Sequence, residues 1–280
     1  GSGGDGSSFS SSSPANADTG PIEAILVTPP KVEGGGDKKR LPGLIVVPHG
    51  GPHSVTPTGF MPSYLFLSLH TGCAVLHVNY RGSTGFCADA VSSLPGNIGA
   101  QDVSDVVAAA QFVLAREPAI VDGNRVGVVG GSHGGFLGAH LIGQHPDLFK
   151  CAALRNPVTN IPAMAGATDI PDWCFIEALG QSAYPFSGPC TPAGPEALNE
   201  MWAKSPVAHL DKITAPTLIA LGAQDRRVPP SQGIEFYHAL KSRGVPTRLV
   251  VYPTDCHPID EPISEADHWI NVANWIDAHL

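Results

Sequence analysis

The stretch Arg125-Val126-Gly127-Val128-Val129-Gly130-Gly131-Ser132-His133-Gly134-Gly135-Phe136 passes from a run of small and β-branched apolar residues into a cluster of glycines around one serine. Residues 125–130 read as a buried strand and residues 134–145 as an apolar helix, so the chain must reverse sharply around Ser132. Such a turn needs residues without a side chain two before and two after its centre, because a Cβ there would meet neighbouring backbone. Gly130 and Gly134 fill both positions. On either side the alternation continues, with apolar runs at 22–28, 44–48, 73–79, 151–155, 217–222 and 247–252. Helical patterns stand at 102–116, 233–242 and 267–279. Strands that are apolar at nearly every position suit a mostly parallel central sheet with helices on both faces, so the class is α/β.

A serine on a strand-to-helix turn, at the carboxyl end of a parallel strand, is the arrangement that exposes a nucleophile in the α/β-hydrolase fold. That fold is the expectation for residues 21–280, with residues 156–216 as an insertion over the sheet's carboxyl edge. Residues 1–20 are rich in Gly and Ser with almost no apolar side chains and read as a flexible lead or linker. Residues 31–40 read as a charged loop.

Composition narrows the partners. Sixteen basic against twenty-five acidic residues give a net charge of −9, which argues against nucleic acid. No apolar run approaches the roughly 18 residues of a membrane span, and no membrane association is expected. The six cysteines stand singly, without metal-ligand spacing, and read as reduced thiols of a cytoplasmic protein. No metal or cofactor is expected.

A serine hydroxyl is a weak nucleophile at neutral pH unless an imidazole takes its proton and a carboxylate fixes that imidazole's tautomer. In this fold the chain order is Ser, then the acid, then His. Of the four histidines late in the chain, His238, His268 and His279 fall in helical patterns. His257 follows the strand at 247–252 through a Pro-containing loop and is the candidate base. Asp225, just past the strand at 217–222, is the candidate acid, with Asp255 and Asp260 as alternatives. Acyl transfer also needs donors for the developing oxyanion. The backbone N–H of His133 is one candidate, and the loop His49-Gly50-Gly51-Pro52 after the strand at 44–48 is expected to supply the second.

Longer stretches carry a resemblance. They are Pro48-His49-Gly50-Gly51-Pro52-His53, residues 78–86 (VNYRGSTGF), Leu94-Pro95-Gly96-Asn97, residues 130–136, Arg155-Asn156-Pro157-Val158, residues 168–174 (TDIPDWC) and Asp225-Arg226-Arg227-Val228-Pro229. Together they make the sequence similar to the prolyl oligopeptidase family, and within it to the branch that releases acylated residues. The resemblance implies a serine peptidase acting on short N-acylated peptides without a cofactor, in a cytoplasmic homo-oligomer. It carries nucleophile, acid and base onto Ser132, Asp225 and His257, and the oxyanion donors onto the backbone of His133 and Gly51. It also implies a substrate-binding role for Arg227, for which a surface ion pair is the alternative. The family's N-terminal β-propeller is not in this sequence and is expected in the full-length form. A broader exopeptidase or carboxylesterase, and a hydrolase-like binding module without turnover, are the competing readings.

Overall fold

A strand with no polar face must be covered on both sides, and the architecture provides this cover. The computed structural model describes residues 22–29, 41–118, 120–187 and 192–280; the Gly/Ser-rich lead, the charged loop at 31–40 and Cys190 lie outside the described residues. Seven strands form one sheet: β1 (Glu23–Val27), β2 (Leu44–Pro48), β3 (Ala74–Asn79), β4 (Val126–Gly131), β5 (Cys151–Arg155), β6 (Thr217–Gly222) and β7 (Thr247–Tyr252). Their order is β1-β3-β2-β4-β5-β6-β7, with β1 antiparallel to β3 and every other pairing parallel. Every residue of β2, β3 and β6 is buried, while the edge strands β1 and β7 are partly exposed.

The helices are α1 (Pro62–Thr71), α2 (Ala88–Ser92), α3 (Gln101–Arg116), α4 (His133–Gln144), α5 (Ile161–Ala165), α6 (Pro171–Leu179), α7 (Pro195–Ala203), α8 (Ser231–Ser242) and α9 (Pro262–His279). A 3₁₀ segment occupies Pro206–Lys212. Helices α3, α4 and α8 pack on one face of the sheet, around Phe136, Leu137 and Phe236; α1 and α9 cover the other, around Leu67, Val272 and Ile276. The residues between β5 and β6 form α5, α6, α7 and the 3₁₀ segment, an all-helical insertion as expected.

Helices α1, α2 and α9 depart from the sequence pattern. Helix α1 was not expected, because Leu65, Phe66 and Leu69 stay exposed and leave it without a clean apolar stripe. Helix α9 begins at Pro262, five residues before the periodic pattern, since proline at the first helical position costs no hydrogen bond.

The strand order places the site. From β2 the chain runs to β3 on one side and returns to β4 on the other, so β2 and β4 are neighbours whose outgoing loops diverge. A crevice opens at the carboxyl ends of strands at such a switch point. The loops that line it here carry His49–Gly51 and Ser132.

Candidate active site

Strand β4 ends at Gly131 and α4 begins at His133, so Ser132 alone makes the turn. Its backbone lies at φ 59° and ψ −124°, a conformation that costs a non-glycine residue about 1–3 kcal/mol and persists only where the surroundings enforce it. The enforcement is visible. The Ser132 N–H donates to the Arg155 carbonyl (2.9 Å), and the Ser132 carbonyl accepts from the Phe136 N–H (2.9 Å). A Cβ at Gly130 would lie 2.1 Å from the Gly134 carbonyl oxygen, and one at Gly134 would lie 2.3 Å from that of Pro48. Both flanking glycines are therefore steric requirements of the turn.

The loop after β2 lies beside the hydroxyl: a Cβ on Gly50 would stand 3.9 Å from Ser132 Oγ. Gly51, at φ 120°, takes a backbone conformation suited to glycine. The N–H groups of Gly51 and His133 have no hydrogen-bond acceptor among the described residues, which leaves both available to an oxyanion. The His49 ring stacks on Tyr80 at 4.5 Å, while the Tyr80 hydroxyl donates to the His49 carbonyl (2.8 Å). Its Nδ1 donates to the Gly50 carbonyl and its Nε2 accepts from the Ser83 hydroxyl, each at 2.7 Å. Burial pushes His49 down to about 4, so the ring is neutral at pH 7 and serves as a brace for the loop.

The same loop is tied to α6 twice. Trp173 Nε1 donates to the Gly51 carbonyl (3.0 Å), and His53 Nε2 meets the buried Glu177 carboxylate at 3.2 Å. The Glu177 hydrogen bond, opposed in part by burial, raises the His53 pKa. His53 Nδ1 donates to the Gly82 carbonyl, so both ring nitrogens face acceptors, as suits an imidazolium. On the other side of the elbow, the His133 ring is fully buried against Phe136 and its Nε2 donates to Asp102 (2.9 Å).

Asp225 lies three residues past β6 and is 4% exposed. Its Oδ1 accepts the N–H groups of Arg227 (2.8 Å) and Val228 (2.9 Å), and its Oδ2 accepts from His257 Nδ1 (2.6 Å). The carboxylate is thus aimed by its own loop. A proton held on Nδ1 leaves Nε2 bare, the tautomer a general base needs. The alternative acids do not meet the imidazole: Asp255 accepts the Glu261 N–H (3.2 Å) and Asp260 is exposed.

Ser132 and His257 line one cavity of about 270 Å³ without a hydrogen bond between them. In unliganded sites such contacts commonly tighten only when substrate is bound. The remaining wall is apolar and comes mostly from the insertion: Val158, Met164, Ile170 and Trp173, with Val228 opposite. Arg227 stands at the rim, where its Nε pairs with Asp169 Oδ1 at 2.8 Å, both side chains about half exposed. Arg227 therefore both borders the cavity and makes the ion pair considered as its alternative role. A larger cavity, about 460 Å³, lies on the α1/α9 side against Arg155, His268 and Trp269. It reaches neither Ser132 nor His257 and is not where they could react. Cys151 and Cys174 are buried, with thiols pushed up to about 12 by desolvation, which leaves them inert.

Residues given no individual role in the sequence reading also stand at the site. Asn156 and Arg155 both donate to the His257 carbonyl, the Tyr80 hydroxyl donates to the His49 carbonyl, and Asp102 accepts from the buried His133 ring. Their place in the Arg155-Asn156-Pro157-Val158 stretch of the resemblance is the signal the sequence offered for the first two. Among the described residues no group of three His, Cys, Asp or Glu side chains could hold a metal ion, and no helix is long and apolar enough to cross a membrane.

Known proteins resemble this chain in sequence and in fold. The chain is 48% identical over 261 residues to the acylamino-acid-releasing enzyme of Mus musculus, an alignment covering 92% of this chain and 34% of the relative. It is 45% identical to the enzyme of that name from Arabidopsis thaliana, covering 92% of this chain and 33% of the relative. The chain thus spans about a third of the length of these curated relatives. Among solved structures, the acylaminoacyl peptidase of Pyrococcus horikoshii superposes with a TM-score of 0.79 at 22% identity, over 92% of this chain and 40% of that one; the likeness establishes the α/β-hydrolase fold. The model of the prolyl oligopeptidase family matches residues 59–280, and the chain belongs to that family.

Proposed function

We propose that this chain is the catalytic domain of a serine peptidase that releases an N-acylated amino acid from the N-terminus of short peptides. The observation that carries the reading is the Asp225–His257 pair at 2.6 Å, with His257 lining the same cavity as Ser132 in a chain 48% identical to an acylamino-acid-releasing enzyme. Ser132 Oγ attacks the carbonyl that joins the acylated residue to the next one, while His257 Nε2 takes its proton. The N–H groups of His133 and Gly51 receive the oxyanion. His257 then protonates the leaving amine, and water, activated by the same imidazole, releases the N-acyl amino acid. Asp225 holds the tautomer and stabilises the imidazolium that forms. An acylated N-terminus carries no charge, which suits a pocket walled by Val158, Met164, Ile170 and Trp173. Arg227 at its rim is suited to hold a substrate carbonyl.

The reading extends to a longer, homo-oligomeric form carrying a β-propeller, as the roughly threefold greater length of the relatives allows. A cytoplasmic location is supported by unpaired thiols at Cys73, Cys151, Cys174 and Cys256. The activity is tested with paired peptides of one sequence, N-acetylated and free. Hydrolysis of the acetylated one at a much higher kcat/KM is expected; equal rates would point to a broader exopeptidase, and cleavage of esters alone to a carboxylesterase. Asp225→Asn is expected to lower kcat by about 10⁴, because an amide favours the wrong tautomer of His257 while keeping the shape. Steady-state kinetics on the acetylated peptide, with circular dichroism as the control for folding, check it.

A further inference from the structure

We infer that Asn156 is a positioning residue for the base, clipping the loop of His257 to the strand end from which Asp225 departs. The inference rests on His257 being the base. Among the described residues three non-glycine positions have positive φ: Ser132 at 59°, Asn156 at 42° and Ile259 at 52°. One is the elbow, one follows β5 directly, and one lies two residues past His257. Strain of this kind survives where the surroundings over-determine the backbone.

Asn156 is fully buried, and every polar group of its side chain is committed. Its Oδ1 accepts the Gly222 N–H (2.9 Å), at the last residue of β6 and three before Asp225. Its Nδ2 donates to the His257 carbonyl (2.7 Å), and its own N–H donates to the Ala220 carbonyl (2.8 Å). One amide thereby joins the two loops whose side chains meet as Asp225 and His257. The fit between them is close, since a Cβ on Gly222 would lie 2.2 Å from the Cys256 carbonyl oxygen. Arg155 Nη1 gives the His257 carbonyl a second donor at 3.0 Å, so both lone pairs of that oxygen are used. With the His257 backbone held in this way, the imidazole is left to satisfy Asp225 and the cavity.

A residue that served folding alone would have the same bonds, and substitution separates the two roles. Asn156→Gly accepts positive φ without penalty and removes both bridging bonds. Asn156→Asp also tolerates positive φ and keeps an acceptor for the Gly222 N–H, but it loses the donor to His257. The experiment measures kcat and KM of the full chain on an N-acetyl-aminoacyl p-nitroanilide, corrected for active fraction by fluorophosphonate titration. Folding is checked by circular dichroism. Both variants are expected to fold and to lose kcat by about 10- to 100-fold, the scale of an ångström-sized misplacement, with KM changed less than about threefold. Folded variants with wild-type kcat, or with the loss confined to KM, would overturn the inference. Should Asn156→Gly fail to fold, Asn156→Asp decides alone. Failure of the base reading looks different: His257→Ala would then keep turnover and labelling at Ser132.

Discussion

Ser132→Ala is expected to lower kcat on an acetylated peptide by about 10⁵- to 10⁶-fold while leaving the melting temperature nearly unchanged. The loss is large because the substitution removes the atom that bonds to the substrate, and no neighbouring group can take its place. What survives is the contribution of the oxyanion donors and of binding, about 10³–10⁴ over water. Stability is spared for a local reason. Alanine and serine bear the same penalty at φ 59°, and the bonds that hold the turn run through the backbone, to the Arg155 carbonyl and from the Phe136 N–H. The Ser132 hydroxyl has no hydrogen-bond partner among the described residues, so its removal orphans nothing. Kinetics together with a thermal melt check both halves.

Gly134→Ala is expected to do the reverse, acting first on the fold. Its Cβ would arrive 2.3 Å from the Pro48 carbonyl oxygen and 3.2 Å from the His49 carbonyl carbon, both backbone atoms that cannot swing aside. Either α4 moves off the sheet or the loop after β2 is driven outward. The expected cost is about 3 kcal/mol or more, a fall in melting temperature on the order of 10 °C for a domain of this size. Because Pro48 leads through His49 into Gly50 and Gly51, activity falls further than the unfolded fraction explains. A thermal melt and activity per titrated site, measured on the same sample, separate the two effects.

Much of this is legible in the sequence. Strands such as Leu44–Pro48 and Thr217–Gly222, apolar at nearly every position, are covered on both faces, as suits a parallel sheet with helices on each side. Candidates for the site followed from chain order, because loops at the carboxyl ends of β4, β6 and β7 converge whatever their sequence. Helix α1 was hidden because its apolar residues are shared between the core and an exposed face, where Leu69 remains 55% exposed. The roles of Asn156 and Arg155 were hidden for another reason. Each acts on the main-chain carbonyl of a residue about a hundred positions away, and a backbone acceptor leaves no mark in sequence. The Asp102–His133 contact is similar, a buried polar pair that joins two separate elements 31 residues apart.

The identity of the nucleophile is tested most directly by treating the folded chain with a fluorophosphonate and locating the adduct by peptide mass spectrometry. One phosphonylated residue, Ser132, with labelling lost in Ser132→Ala, is the expected result. An adduct on any other residue, or none on folded protein, would contradict it.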